Sequence, residues 1–379
     1  MKVCFISHSS AKGGAERALL ELLDALKGKG VASFVILPRY GPIINELESL
    51  EIDFFITPYN WWMDKNPPRW LRLYRTVLNL RMLVPIMKKL RQWQCDIVCT
   101  NTITVGIGAI AAKILRRPHI WFIHEFGWED HQLSFDLGEK LSLLLINWLS
   151  KTCMVNSEAV LQKYKNYISP SKLKVVYYSM NMSPSYEWSS GRQKIRNRCA
   201  IVGALQKGKR QEDAIKAIFK LRSDGMNIGL DIIGDGDSQY RDYLIKLVEE
   251  IKASEYIKFM GYVEDPYSYM RDDDVLLMCS QSEAFGRVTV EAMKLGKPVV
   301  GARSGGTIEL IQDGFNGLLY TAGNIIELSE KIRYLYENPD IAAQMGKNGR
   351  LWVSERFSRD LYGGEVLTVL SQLVTKVRS

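Results

Sequence analysis

Short apolar runs recur along this chain, and most are separated by stretches whose apolar residues fall three and four apart. The runs at 2–7, 33–37, 53–56, 96–100, 119–123, 153–155 and 174–178 read as buried strands of a first region. Those at 200–203, 229–233, 258–263, 275–279 and 299–301 read as strands of a second. Helical periodicity between them, as at 15–26, from 212 onward and from 288 onward, predicts parallel sheets wound on both faces. Periodicity lapses at 178–192, a Ser-rich segment with Pro184 and Gly191 that reads as a linker. The expected division is a domain over 1–180, a linker over 181–195, a domain over 196–355 and a terminal helical element over 356–379.

The most informative stretch runs from Val275 to Tyr320. An apolar strand gives way to Ser280-Gln281-Ser282-Glu283, then the turn-prone Phe285-Gly286, then the helix-patterned Val288 to Met293. Gly296-Lys297-Pro298 stops that helix, a further strand follows, and Gly305-Gly306 forms a turn. Ligands of open parallel sheets sit beyond the carboxyl ends of the strands. The amides from Phe285 to Val288 lie at a helix start, where unsatisfied donors and the positive dipole end suit a diphosphate. Glu283 and Glu291 frame that start, and carboxylates suit paired sugar hydroxyls. Read singly, each is equally well a solvated surface glutamate.

Other strand ends carry polar residues that could face a ligand. Gly13-Gly14-Ala15-Glu16 follows the first strand, either as a tight turn or as backbone that a ligand approaches. His124, with Glu125 after it, ends the 119–123 strand and is either a ligand contact or a satisfied structural histidine. His8 and His131 have no motif behind them. Ala204 to Arg210, with Lys207, Lys209 and Arg210, is a basic loop, and Gly234-Asp235-Gly236 is a strand-end turn. Asp272-Asp273-Asp274 invites a metal reading, but the aspartates run straight into a buried strand, so charges at a strand start are preferred.

Taken together, Glu283 and Glu291 with seven residues between them, Phe285-Gly286 among those seven, and Gly296, Pro298, Gly305-Gly306, Glu309, Gly314 and Gly317 after them resemble the retaining nucleotide-sugar glycosyltransferases of family 4. The resemblance implies a GT-B fold, α/β, with two Rossmann-like doubly wound domains facing a cleft. It implies a hexose moved from a nucleoside diphosphate sugar to a hydroxyl of a glycan or lipid-linked acceptor, in cell-surface polysaccharide or glycolipid synthesis. Carried over residue by residue, His124, Glu283 and Lys209 are the catalytic candidates. Gly13, Gly14, Lys209, Arg210, Gly234, Val263, Glu283, Ala284, Phe285, Gly286, Arg287, Val288 and Glu291 are the donor contacts. Lys209 stands six residues after Gly203, as the family's lysine does, whereas Ala204 replaces its arginine; Arg210 or Lys207 is the candidate substitute. Asn156-Ser157-Glu158 also fits the family and reads as a helix cap. The resemblance implies no metal or other cofactor, since amides and cations neutralise the leaving group. An epimerase, or a non-catalytic nucleotide- or carbohydrate-binding module on the same fold, is the alternative.

Composition narrows the partners. With 379 residues, 46% hydrophobic and 24% charged, the chain is globular and long enough for two domains. A net charge of +8 points to anionic partners, and no nucleic-acid motif is interleaved with the basic residues. Six cysteines without ligand or redox spacing read as buried free thiols in a reducing compartment. The opening residues are too short in apolar run for a signal peptide and no spanning segment is legible, so a cytoplasmic protein, soluble or peripheral on the inner membrane face, is expected. Residues 68–93 form a basic helical pattern with Leu73, Val77, Leu80, Val84, Met87 and Leu90 at helical spacing, flanked by Trp70 and Trp93. Pro85 should kink or divide it. Two readings stay open: a helix lying on an anionic membrane, or a crossover helix whose apolar stripe faces the sheet and whose arginines are solvated.

Overall fold

A computed structural model describes residues 1–180 and 196–378, so the expected linker at 181–195 lies outside the described residues. The chain divides into two compact units, Met1–Asn181 with Phe357–Ser379, and Met182–Arg356.

The first unit holds β1 (Lys2–Ser7), β2 (Ala32–Leu37), β3 (Asp53–Ile56), β4 (Met63–Asp64), β5 (Ile97–Asn101), β6 (His119–Ile123), β7 (Ser134–Phe135), β8 (Thr152–Val155) and β9 (Leu173–Val175). Seven of these form a parallel sheet in the order β3-β2-β1-β5-β6-β8-β9, while β4 and β7 make a small antiparallel pair that short apolar patterns did not announce. The second unit holds β10 (Arg198–Val202), β11 (Gly229–Ile233), β12 (Ile257–Gly261), β13 (Val275–Met278), β14 (Val299–Ala302) and β15 (Leu318–Tyr320), all parallel, in the order β12-β11-β10-β13-β14-β15. β15 was not among the expected strands, because three residues carry too little pattern. Strand order reverses beside β1/β5 and beside β10/β13, and these switch points open crevices at the strand ends.

β1, β5, β6, β8, β13 and β14 are buried almost throughout, as strands covered on both faces must be. The terminal helix Arg359–Arg378 joins the first unit, packing on helix Gly14–Lys27 with Tyr362 Oη donating to Ala18 O at 3.4 Å and Arg359 donating to Asp24 O at 2.6 Å. All six cysteines are buried and free.

Helix Arg69–Trp93 departs from the crossover reading of its sequence in three respects. It runs unbroken through Pro85, so the expected division does not occur. Proline removes one hydrogen bond, to the carbonyl of Arg81, whose residue is exposed and open to water. The stripe expected against the sheet is largely outside: Leu73, Val77, Leu80 and Val84 are exposed, and Leu83, Ile86 and Leu90 take the buried face. The sequence has two apolar faces, and periodicity alone does not say which one the sheet takes. Nor are all the arginines solvated. Arg72 donates to Pro67 O at 3.0 Å, and Arg75 is buried between Asp64 at 2.9 Å and Asp136 at 2.7 Å, clamping the helix onto the β4–β7 pair. Trp93 stacks on Phe34 with Lys89 over its ring, so of the two flanking tryptophans only Trp70 is exposed.

Replacing Arg75 by leucine leaves the buried Asp136 without its cation. Breaking such a pair costs about 3 kcal/mol, so the denaturant midpoint of Arg75→Leu should fall clearly below wild type. An unchanged midpoint would mean that the clamp is not a stabilising element.

Candidate active site

In the second unit the loops after β10 and β13 flank the switch point and are stitched together by Gln281 N donating to Gly208 O at 2.9 Å. This brings Lys209 Nζ to 2.7 Å from Glu283 Oε2, a pair formed by residues 74 apart in sequence. Glu283 is largely buried and Lys209 about a third exposed, so the pair lies at the mouth of the crevice. Glu283 is fixed from behind: Gly306 N donates to its carbonyl at 2.6 Å, and a Cβ on Gly305 would fall well inside contact with the same backbone. The Gly-Gly turn after β14 is thus the support of Glu283, a role that spacing alone did not reveal.

Gly286 has φ +97° and opens helix Arg287–Lys294, accepting from Thr289 N at 2.9 Å. Its positive φ turns the chain sharply from loop to helix, which aims the first-turn amides toward the strand ends. One turn in, the buried Glu291 accepts from Tyr267 Oη at 3.4 Å and lies 3.9 Å from Arg287 Nε. Ala284 and Phe285 are buried, and Val288 is half-buried. Val263 is half-buried just past β12.

Gly234, at φ +133°, packs its backbone directly on Gly203, and a side chain there would collide with Gly203 O. Close packing of the β10 and β11 ends therefore demands glycine for structural reasons. Arg210 makes a two-pronged pair with buried Asp213 on its own helix, at 2.6 and 2.9 Å, and Lys207 is exposed. Asp274 accepts from the amides of Arg196 at 3.2 Å and Arg198 at 3.1 Å, and Asp272 pairs with Arg196 at 2.9 Å. These carboxylates lie at the start of β13, the opposite end of the strand from Glu283. Burial pushes the neighbouring Asp273 up to about 7.

In the first unit the polar strand ends form one network around His124. Asn101, last residue of β5, donates from Nδ2 to Ala15 O at 3.2 Å, which aims its Oδ1 at His124 Nε2, 2.6 Å away. That orientation puts the proton on Nε2 and leaves Nδ1 to accept from Tyr178 Oη. Tyr178 Oη in turn accepts from Asn156 Nδ2 at 2.9 Å, and Asn156 also donates to His124 O. The cap of helix Glu158–Tyr164 is Ser157, accepting from Val160 N, so Asn156 holds His124 rather than capping. Glu125 accepts from Ile103 N at 2.6 Å and His124 N at 2.9 Å; burial pushes its carboxyl up to about 8 against the pull of these amides. Asn101 and Tyr178 were missed in the sequence. The signal for Asn101 was a polar residue ending an apolar strand, whereas Tyr178 gave none.

Gly13 caps helix Gly14–Lys27, and a side chain on it would meet the buried carboxylate of Glu16. His8 Nε2 lies 3.4 Å from that carboxylate, and burial holds its imidazole below the usual range. His131 is on the surface beside Asp130.

Comparisons with known proteins identify the family and the fold. The family model "Glycosyltransferase Family 4" matches residues 12–182, and "Glycosyl transferases group 1" matches 183–352. The chain is 23% identical over 391 residues to alpha-monoglucosyldiacylglycerol synthase of Acholeplasma laidlawii, covering 96% of this chain and 94% of that one. It is 24% identical to the capsular polysaccharide biosynthesis glycosyltransferase CapM of Staphylococcus aureus, covering 76% and 80%. The fold is similar to that of Anabaena Alr3699/HepE in complex with UDP-glucose, with a TM-score of 0.79 at 24% identity, over 98% of this chain and 100% of that one. Two parallel-sheet α/β units, each matched by its own family model, make this chain a glycosyltransferase of the family 4 type with the GT-B fold.

Proposed function

We propose that the protein moves a hexose, with retention of anomeric configuration, from a nucleoside diphosphate sugar to a hydroxyl of a glycan or lipid-linked acceptor, working in the cytoplasm at the inner membrane face. The observation that carries this reading is the Lys209–Glu283 pair at 2.7 Å beside the helix start at Gly286. As the glycosidic bond breaks, negative charge grows on the departing diphosphate. Lys209 and the amides near Gly286 and Arg287 then strengthen their hold in the transition state. Glu283 both orients the Lys209 ammonium and accepts from sugar hydroxyls, and Glu291 accepts from the ribose. The attacking hydroxyl passes its proton to the departing phosphate on the same face, which needs no protein nucleophile. His124, in the first unit, can donate from Nε2 to a ligand hydroxyl that takes the place of Asn101. Gly13 and Gly14, also in the first unit, let a ligand approach the backbone closely. Arg210 is held by Asp213, so Lys209 carries the cationic role without the arginine that Ala204 replaces.

The UDP-glucose held by the structural neighbour makes UDP the first nucleotide to try. UDP should raise the melting temperature by a few degrees through selective binding to the folded state, and Glu291→Ala should abolish that rise. GDP, dTDP and ADP serve as the comparison. No shift with any nucleotide at millimolar concentration would remove the donor site and leave a binding-module reading.

A further inference from the structure

Helix Arg69–Trp93 carries Trp70, Leu73, Tyr74, Val77, Leu80 and Val84 at spacings of three and four, all exposed: Trp70 by 69%, Leu73 by 67% and Val84 by 65%. The same line continues into Arg81, Lys88 and Arg91, also exposed, and the helix contains no acidic residue. A second stripe lies on helix Glu139–Leu149, where Leu141, Leu144 and Trp148 are exposed, Trp148 by 61%. Helix Ile107–Ile114 packs against both, and its Lys113 ammonium sits 4.2 Å from the centre of the Trp148 ring. Beyond its end, Arg116 and Arg117 join Arg91 around a cavity of about 200 Å³ with Leu90, Val98 and Ile114 in its wall.

Exposed apolar patches beyond a few hundred Å² mark interaction sites. Here the charge pattern selects the occupant. A second copy docked through the same face would set cations against cations, since a two-fold contact pairs like with like. A bilayer with anionic headgroups complements both parts, taking the apolar side chains and tryptophans at the acyl boundary and the cations at the phosphates. No helix among the described residues is long and apolar enough to cross a membrane, so the contact lies in the surface plane. We infer that the first unit docks on an anionic phospholipid surface through these three helices, with a lipid phosphate seated among Arg91, Arg116 and Arg117. The occupancy of this face is independent of the transfer chemistry assigned above.

The test is flotation of the full chain with vesicles of phosphatidylglycerol and phosphatidylcholine, against phosphatidylcholine alone. Wild type should float with the anionic vesicles, much less with neutral ones, and be released by high salt. Combining Leu73→Ser, Val84→Ser and Trp148→Ser should weaken binding at least about tenfold, since each removes buried apolar area. Combining Arg81→Gln and Lys88→Gln should weaken it roughly 30-fold, at ~1 kcal/mol per surface cation. Unchanged melting temperatures show that the variants fold. Wild type that stays unbound, or variants that float as wild type does, would overturn the inference. So would light scattering that finds a wild-type dimer and a monomeric triple-serine variant, since the face would then join two copies.

Discussion

Lys209→Ala should lower kcat by about 10²–10³, as expected when one preorganised donor to a developing charge is removed. Lys209 is aimed by Glu283 from 2.7 Å, so it is held ready before charge appears on the diphosphate. Ground-state binding should suffer less, with the nucleotide Kd rising less than about tenfold, because the full charge on the leaving group develops only as the bond breaks. Glu283→Gln should lower kcat to a similar extent, since it frees the ammonium and weakens acceptance from the sugar hydroxyls. The double variant should be little worse than either single one, because two residues acting as a unit do not add. The measurement is steady-state transfer, or donor hydrolysis, with the nucleotide sugar that stabilises the protein. Two independent losses that multiply in the double variant would sink the paired role.

The second large effect is expected at Gly305. Its φ is +48°, and a Cβ would collide with the carbonyl and amide of Glu283. Gly305→Ala must therefore push Glu283 away from Lys209 or shift the turn after β14. Overpacking against backbone costs about 1–3 kcal/mol beyond the strain at positive φ. For a unit of this size that is roughly 2–12 °C in Tm. The control is Gly314→Ala, which has the same backbone strain at φ +81° but open space around it. Gly314→Ala should lose only the backbone part and keep full kcat. Gly305→Ala should lose more stability and, below its own Tm, more than about tenfold in kcat, as an ångström of misplacement does. Equal kcat in the two alanine variants would contradict the assignment of Gly305 as the support of Glu283.

Much of the candidate donor site is legible in order because it is local. Glu283, Phe285, Gly286, Arg287 and Glu291 lie within one strand–loop–helix unit, and a helix start places its own first-turn amides whatever the rest of the chain does. His124 could be read because a polar residue directly after five buried ones marks a strand end. Arg210 shows where that reasoning stops. It is basic and in the basic loop, but Asp213 three residues on takes its guanidinium. The supports of both candidate groups were also out of reach. Asn101 stands 23 residues from His124, Tyr178 stands 54, and Gly306 reaches Glu283 only because β14 lies beside β13.

The sequence by itself determined the parallel α/β class, most of the strands, and the chemistry offered at the strand ends, because burial on two faces and helical periodicity are written in neighbouring residues. Tertiary structure alone decided which distant groups meet: Lys209 with Glu283, Asn101 and Tyr178 with His124, Arg75 with Asp136. It also chose which of two apolar faces of helix Arg69–Trp93 was buried and which was left to solvent. Sheet order and the β4–β7 clamp set those outcomes, and both depend on contacts between residues far apart in the chain, where no local period carries information.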